Sequence, residues 1–166
     1  MAQDLLYKLA ARVGRILKAR ELMLVTAESC TGGWLGEAVT VVPGSSDWYE
    51  RGFITYTYIS KREMLRVKQQ TLAKFGAVSE QIAREMALGA LKMSHAQVAV
   101  AVTGIAGPAG GTRDKPVGTV CFAWARNNGR VAIETVHFKG DRQAVRYQAV
   151  EHALRGVLAL FAGQKK

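Results

Sequence analysis

Residues 22–33, LMLVTAESCTGG, decide the fold of this chain. The run from Leu22 to Ala27 is apolar apart from one threonine, as in a strand that is buried on both faces of a sheet. The next residues, Glu28 to Gly33, predict a tight turn, and the apolar segment from Trp34 to Val42 predicts a helix that stops at Pro43-Gly44. A buried strand, a tight turn and a helix in succession are typical of an α/β fold.

The rest of the chain alternates between helical and strand patterns in the same way. Ser79 and Asp141 are suited to begin helices as N-caps, and Asn127-Asn128-Gly129 is a strong hairpin signal. We expect helices over 4–20, 34–42, 61–67, from 80 onward and from 142 onward, and strands over 22–27, 52–58, 98–103, 117–125 and 131–138. The pattern predicts a three-layer α/β/α sandwich whose sheet is mixed but mostly parallel.

Length and composition are those of one globular domain spanning residues 1–166. Apolar residues make up 49% of the chain and charged residues 22%, a balance found in folded proteins rather than in disordered or fibrous ones. No run approaches the roughly 18 apolar residues of a membrane span, and the first residues do not have the pattern of a signal peptide. We therefore expect a cytoplasmic protein without a membrane partner.

The net charge of +10 would suit a nucleic-acid-binding protein. The lysines and arginines form no basic arm or stripe, however, so nucleic acid is not the expected partner. The two cysteines, Cys30 and Cys121, are too few for a disulfide framework, and the three histidines stand far apart in the sequence. We expect neither a disulfide framework nor a metal site.

Ligands of α/β sheets bind outside the carboxyl ends of the strands. Three segments leave predicted strands there: one after Ala27, one that runs from Tyr58 to Lys61, and one after Thr103. We expect the functional site where these three segments meet.

Ser29 is the first candidate nucleophile, because it follows a buried strand and precedes a glycine pair that opens a helix. Free backbone N–H groups at such a turn could stabilise an oxyanion, although the Gly-x-Ser-x-Gly pattern of a nucleophile elbow is absent. The alternative is that Ser29 only caps the helix. Cys30 is a competing nucleophile or a small buried residue, and Glu28 is an acid–base group or an ion-pair partner.

A serine nucleophile needs a base, and the histidines offer no convincing triad. Burial of Lys61 beside an apolar wall would lower its pKa and make it a usable base; the alternative is an exposed lysine in a salt bridge. Tyr56 could donate a hydrogen bond into the same pocket or could be a core aromatic residue.

Two further features could hold an anion. The glycine-rich loop over residues 104–111 fits neither a Walker loop nor a dinucleotide fingerprint, but its amides could bind a phosphate; the alternative is a flexible crossover. Arg142 stands at the start of the last helix, where it could face an anion or lie in solvent.

Seven segments in order closely resemble the C-terminal domain of CinA (competence/damage-inducible) proteins. They span nearly the whole chain: Ala27 to Gly33, Pro43 to Ser46, Gly52 to Tyr56 with Lys61, Gly76 to Ser79, Thr103 to Pro108, Lys115 to Val120, and Gly140 to Arg142. The ordered set is far more specific than any one segment.

The resemblance implies the hydrolysis of nicotinamide mononucleotide to nicotinate mononucleotide and ammonia, in pyridine-nucleotide recycling, by a Ser/Lys pair without metal or cofactor. Ser29 would be the nucleophile and Lys61 its base, with Tyr56 assisting at the catalytic centre. The resemblance also implies a homo-oligomer such as a dimer. The substrate-binding residues that it implies are Cys30, Thr31, Gly32, Gly33, Thr103, Gly104 and Arg142.

The chain departs from the family pattern at two positions. Tyr58 stands where the family commonly has asparagine, and Arg66 stands where glycine is usual. Two alternatives therefore remain: a paralogue that binds a nucleotide without hydrolysing this amide, and a basic nucleic-acid-binding module.

Overall fold

The structure, a computed structural model, describes residues 2–163. Helices and strands alternate through most of this part of the chain. The helices are α1 (Ala2–Lys18), α2 (Trp34–Thr40), α3 (Tyr58–Leu65), α4 (Gln69–Phe75), α5 (Glu80–Lys92) and α6 (Arg142–Ala159). The strands are β1 (Leu24–Glu28), β2 (Tyr49–Ile54), β3 (Val98–Gly104), β4 (Thr119–Arg126) and β5 (Val131–His137).

The strands form one sheet in the order β2-β1-β3-β4-β5. β1 pairs in parallel with both β2 and β3, while β4 is antiparallel to both of its neighbours. Helices cover both faces, which confirms the predicted α/β/α sandwich with a mixed sheet. In the parallel part, Glu28 lies opposite Ile54 on one side and Val102 on the other, so β1, β2 and β3 end at the same edge.

The two faces of the sheet carry different side chains. On β3, Val98, Val100 and Val102 point into the core with α1, α2 and α6. The alternate residues Ala99 and Ala101 point into the core with α5, since successive side chains of a strand face opposite ways. The alanine face lets α5 pack closely, and the valine face fills the space beneath three helices.

The segment between β2 and α3 differs from the prediction. β2 covers 49–54 instead of 52–58, and α3 begins at Tyr58. Thr57 and Ser60 form a capping box, in which each side chain accepts the other residue's backbone N–H. The aromatic and β-branched residues there resemble a strand, but this cap begins a helix instead.

Other local predictions are confirmed. Ser79 accepts the backbone N–H of Ile82, and Asp141 accepts that of Ala144, so both act as N-caps. The hairpin between β4 and β5 closes at 127–129, with Gly129 N–H donating to Arg126 O. Sequence analysis missed α4, of which Leu72 is the one buried residue. Within residues 2–163, no helix is both long and apolar enough to cross a membrane.

Candidate active site

Ser29 is the first residue after β1 and lies at the edge where the parallel strands end. Its backbone N–H donates to Val102 O at 2.9 Å, which fixes the residue against β3. The residue is 8% exposed. The hydroxyl therefore stands on a rigid strand end with limited access to water.

Lys61 approaches Ser29 from α3 and is 1% exposed. Its Nζ donates to Ser29 Oγ at 2.9 Å and to Thr55 O at 2.7 Å. Thr55 is itself held in place, because its N–H donates to Glu28 O at 2.8 Å. Lys61 makes no ion pair with any described carboxylate, so the alternative of an exposed salt-bridged lysine is wrong.

The environment of Lys61 favours its neutral form. Burial lowers the pKa of the ammonium from 10.5 to about 8, and the nearby Cys30 opposes part of this shift. A lysine with such a pKa is partly deprotonated near neutral pH, as a general base must be. The amine and the serine hydroxyl are already within proton-transfer distance.

Glu28 organises the turn after β1 and is 1% exposed. Its carboxylate accepts the backbone N–H groups of Gly33 at 3.0 Å, Leu35 at 3.0 Å and Gly36 at 2.8 Å. It thereby caps the first turn of α2, where a negative charge is favourable. Glu28 is in no ion pair among the described residues, and Ser29 does not cap α2, whose N-cap is Gly33. The interpretations of a Glu28 ion pair and a Ser29 helix cap are therefore wrong.

Two backbone N–H groups beside the nucleophile have no acceptor on any other described residue. Among the described residues, no other residue accepts the N–H of Cys30 or of Thr31; the Cys30 N–H has a weak bond to its own sulfur. The N–H groups on either side are used, since Ser29 donates to Val102 O and Gly32 donates to Ser29 O. Buried N–H groups normally have partners, so this adjacent pair is a candidate oxyanion site.

Cys30 is unsuited to act as a nucleophile. It is buried against the core, and burial raises the pKa of its thiol from 9.0 to about 12. The reactive form of cysteine is the thiolate, which this environment suppresses. The structure thus agrees with the interpretation of a small buried side chain.

Tyr56 and Arg142 meet at the mouth of the site. Arg142 Nη2 donates to Tyr56 Oη at 2.9 Å, and Nη1 donates to Gly107 O at 2.8 Å. Tyr56 is 57% exposed, so the core-aromatic alternative is wrong. The guanidinium thus joins α6, the β2–α3 segment and the loop after β3.

Thr103 and Gly104 serve the framework. The Thr103 hydroxyl is buried and donates to Ala77 O at 2.8 Å. A Cβ at Gly104 would lie 2.8 Å from a Val120 methyl group and 2.9 Å from Thr119 O. Gly104 is therefore required by the close pairing of β3 with β4, and the Thr103 hydroxyl is occupied by the segment before α5.

The two departures from the family pattern have local structural explanations. Tyr58 Oη accepts the N–H of Ala77 at 3.3 Å and so links α3 to the segment before α5. Arg66 ends α3 in the left-handed region with φ 59°, a conformation that glycine adopts most easily. Among the described residues, neither side chain hydrogen-bonds to the side chain of Ser29 or of Lys61.

Sequence analysis missed Arg146, on the second turn of α6. Its Nε donates to Cys30 O at 3.1 Å and its Nη2 donates to Thr31 O at 2.9 Å. Its guanidinium also lies over the Trp34 ring, 5.4 Å from the ring centre. The sequence signal was an arginine four residues after Arg142, on the same face of the helix.

Comparisons with known proteins agree with this geometry. The family model of the CinA C-terminal domain matches residues 6–161. The nicotinamide-nucleotide amidohydrolase PncC of Escherichia coli (strain K12) is 50% identical over 155 residues, which cover 93% of this chain and 94% of that protein. PncC of Pseudomonas putida is 47% identical over 157 residues, which cover 95% and 98%.

Solved structures show the same fold. The competence/damage inducible protein CihA from Agrobacterium tumefaciens matches with a TM-score of 0.92 at 46% identity, over 94% of this chain and 95% of that one. A CinA superfamily protein from Escherichia coli matches with a TM-score of 0.90 at 41% identity, over 93% and 90%. The resemblance found in the sequence is confirmed, and the chain belongs to the CinA C-terminal domain family.

Proposed function

We propose that this chain hydrolyses the carboxamide of nicotinamide mononucleotide, with Ser29 as nucleophile and Lys61 as its base. The contact that carries the proposal is the 2.9 Å hydrogen bond between Lys61 Nζ and Ser29 Oγ, in a buried setting that lowers the pKa of the lysine to about 8. The relatives named as nicotinamide-nucleotide amidohydrolases support the choice of substrate.

In the first half of the reaction, neutral Lys61 accepts the proton of the Ser29 hydroxyl while Oγ attacks the carboxamide carbon. The resulting tetrahedral intermediate carries a negative oxygen. Lys61, now an ammonium, donates its proton to the amide nitrogen, and the C–N bond breaks to release ammonia. Ser29 is left as an ester of the nicotinate group.

In the second half, water replaces ammonia. Lys61 accepts a proton from the water as its oxygen attacks the ester, and it then returns the proton to Ser29 Oγ as the ester bond breaks. The balance is one amide and one water consumed, with one carboxylic acid and one ammonia formed. Serine and lysine end as they began, so the cycle requires no metal or redox cofactor.

The N–H groups of Cys30 and Thr31 would stabilise the negative oxygen in both halves. Fixed donors of this kind act in the transition state without having to reorient, and the loss of one typically costs about 100- to 1,000-fold in rate. Glu28 contributes indirectly, because it anchors the amides of Gly33, Leu35 and Gly36 and so fixes the end of the turn.

Arg142 is our candidate for the substrate's phosphate. Two of its donors bind Tyr56 and Gly107, and a guanidinium has five N–H donors in all, so donors remain for an anion. Tyr56 and the exposed loop after β3 would flank the nucleotide. Cytoplasmic pyridine-nucleotide recycling and assembly into a homo-oligomer remain predictions that follow from the resemblance.

Ammonia release tests the proposal. Purified protein with nicotinamide mononucleotide and a chelator should form equal amounts of ammonia and nicotinate mononucleotide, and Ser29→Ala should abolish both. Ser94→Ala is the matched control, because that hydroxyl donates to Ala90 O near the end of α5. Nucleotide binding without ammonia release would favour the non-hydrolysing paralogue, and salt-sensitive oligonucleotide binding would favour the nucleic-acid module.

A further inference from the structure

We propose that Arg146 is a positioning residue that aligns the Thr31 N–H with the reacting oxygen. The inference rests on the proposed function, because it assigns a cause to the orientation of the oxyanion site. Arg146 lies on α6, 116 residues from Cys30 in sequence, and spans the carbonyls of Cys30 and Thr31 with two hydrogen bonds. It touches neither the nucleophile nor its base.

The peptide between Cys30 and Thr31 carries the Thr31 N–H, and Arg146 binds its carbonyl. In a planar trans peptide, the C=O and the N–H point in opposite directions. Arg146 Nε holds the Cys30 carbonyl toward α6, so the Thr31 N–H must point away from α6. α6 and Lys61 belong to opposite faces of the sheet, and the Thr31 N–H is therefore turned toward the side on which Lys61 meets Ser29.

The second bond steadies the next peptide. The Thr31 carbonyl accepts from Arg146 Nη2 at 2.9 Å and from the Trp34 N–H at 3.1 Å. The N–H of that peptide belongs to Gly32 and donates to Ser29 O at 3.0 Å. Hydrogen bonds thus fix both the C=O and the N–H of the Thr31–Gly32 peptide. Because this neighbour is fixed, the Cys30–Thr31 peptide cannot easily rotate and turn the Thr31 N–H out of place.

The guanidinium is itself held rigidly. It lies over the ring of Trp34, the first residue of α2, and Trp34 packs edge-on against Tyr147 with 6.0 Å between ring centres. A guanidinium reaches the two carbonyls from two different nitrogens in a fixed planar geometry, whereas a lysine would have to reach both from one flexible ammonium. Arginine therefore fits this position for geometric reasons as well as for its charge.

The positive charge also strengthens the donor. A cation at the carbonyl end of a peptide polarises it, which makes the opposite N–H a better hydrogen-bond donor in a site from which water is largely excluded. The charge of Arg146 acts on the residues of this turn. Burial raises the pKa of the Cys30 thiol, and the nearby positive charge of Arg146 opposes part of that rise.

The two arginines of α6 thus have different tasks. Arg142 contacts the exposed Tyr56 and the Gly107 carbonyl at the mouth of the site, where substrate must pass. Arg146, one turn later, reaches behind the nucleophile to backbone carbonyls. Loss of Arg142 should therefore act on substrate affinity, and loss of Arg146 on the chemical step.

The test compares Arg146→Gln and Arg146→Lys with Arg155→Gln. Arg155 lies on the same helix and pairs with Glu151 in solvent, so its loss should leave the rate unchanged. Arg146→Gln should lower kcat by about 10- to 100-fold, less than the full loss of an oxyanion donor, with KM changed by less than about threefold. The pH midpoint of kcat should not move, because Lys61 is untouched.

Arg146→Lys separates positioning from folding. It keeps the charge but replaces the rigid two-nitrogen fork by a single flexible ammonium, so the carbonyls are held less precisely. The value of kcat should still fall while the melting temperature stays close to that of the wild type. An unchanged kcat in this variant, a change confined to KM, or a shifted pH midpoint would overturn the inference, even if Arg146→Gln fails to fold.

The proposed function and the inference can fail separately. Wild-type protein that releases no ammonia contradicts the function. The rate at which a small fluorophosphonate labels Ser29 then decides the inference, since phosphonylation also develops an oxyanion. Slower labelling of Arg146→Lys than of wild type supports positioning. Equal labelling, or no labelling of wild type, overturns it.

Discussion

The turn after β1 and the loop after β3 leave the same edge of the sheet, but they are held in very different ways. In the turn, residues 28–31 are all buried, and Glu28 and Arg146 bind its amides and carbonyls from opposite ends. In the loop, residues 105–118, the segment 108–114 is exposed throughout. Arg142 binds it through the carbonyl of Gly107.

We infer from this difference that the turn after β1 serves the chemical step and that the loop after β3 serves substrate binding. Groups that must meet a transition state are best held rigidly before the substrate arrives, and the turn provides this with buried, charge-assisted contacts. A surface that must close around a nucleotide benefits from a segment with fewer fixed contacts. We therefore expect perturbations of the turn to lower kcat and perturbations of the loop to raise KM.

The largest effect should come from Glu28→Gln. This change replaces a buried carboxylate, which accepts three backbone N–H groups, by an amide. The NH2 group of the amide would face one or more of these backbone N–H donors. Since hydrogen bonds to a charged group contribute about 1.5–3 kcal/mol each, the free energy of unfolding should fall by about 3 kcal/mol. Urea denaturation measures this fall, and ammonia release should show a kcat at least about tenfold lower.

Glu37→Gln is the control for that experiment. Glu37 lies exposed on α2, the helix whose first turn Glu28 binds, so the same chemical change should alter stability by less than about 0.5 kcal/mol. A Glu28→Gln variant that resembles Glu37→Gln would mean that the turn does not depend on its buried carboxylate.

Arg142→Ala removes the side chain that binds the loop after β3, and we expect it to raise KM. If the guanidinium binds phosphate, losing a charge-assisted bond of about 1.5–3 kcal/mol should raise KM for nicotinamide mononucleotide by roughly ten- to a hundredfold. The change for nicotinamide riboside, which lacks the phosphate, should be much smaller. Equal losses for the two substrates would mean that Arg142 shapes the site through Tyr56 and Gly107 without binding phosphate.

A matched pair of glycine substitutions should give the smallest effects and the sharpest contrast. Gly33 in the turn has φ 101° and Gly110 in the loop has φ 91°, so alanine is strained at both, typically by about 1–3 kcal/mol. A Cβ at Gly33 would lie 2.9 Å from an Ile54 methyl group, whereas one at Gly110 would have 3.6 Å to Ile105.

Gly33→Ala should therefore lower both the melting temperature and kcat. Gly110→Ala should cost less stability, because its exposed surroundings can relax, and its effect should fall on KM. Steady-state kinetics and thermal melts of the two variants distinguish these outcomes. The comparison fails if Gly110→Ala lowers kcat as much as Gly33→Ala does.

Much of this arrangement was predictable from sequence. The apolar run before Ser29 gave a buried strand, and Ser79, Asp141 and Gly129 carried standard cap and turn signals, because these features depend on neighbouring residues. Lys61 was a candidate base from its position after a predicted strand, and the resemblance to CinA domains favoured that role over an exposed salt bridge. The structure now places its Nζ 2.9 Å from Ser29 Oγ.

The remaining features depend on contacts between distant residues. Arg146 holds the turn because α6 packs beside it, and no local pattern links residues 30 and 146. The role of Glu28 follows from where three backbone N–H groups point, which residue types do not reveal. The position of β2 was wrong because a Thr57–Ser60 cap prevailed over the strand preference of the aromatic residues around it.

The most direct test of the Ser29–Lys61 pair is the pH dependence of kcat/KM for ammonia release from nicotinamide mononucleotide. Lys61 must be neutral to accept the serine proton, so the rate should rise about tenfold per pH unit at low pH. It should reach a plateau above the lysine pKa of about 8. A rate that does not change between about pH 6 and 9, or a Lys61→Met variant that keeps wild-type turnover, would contradict the account.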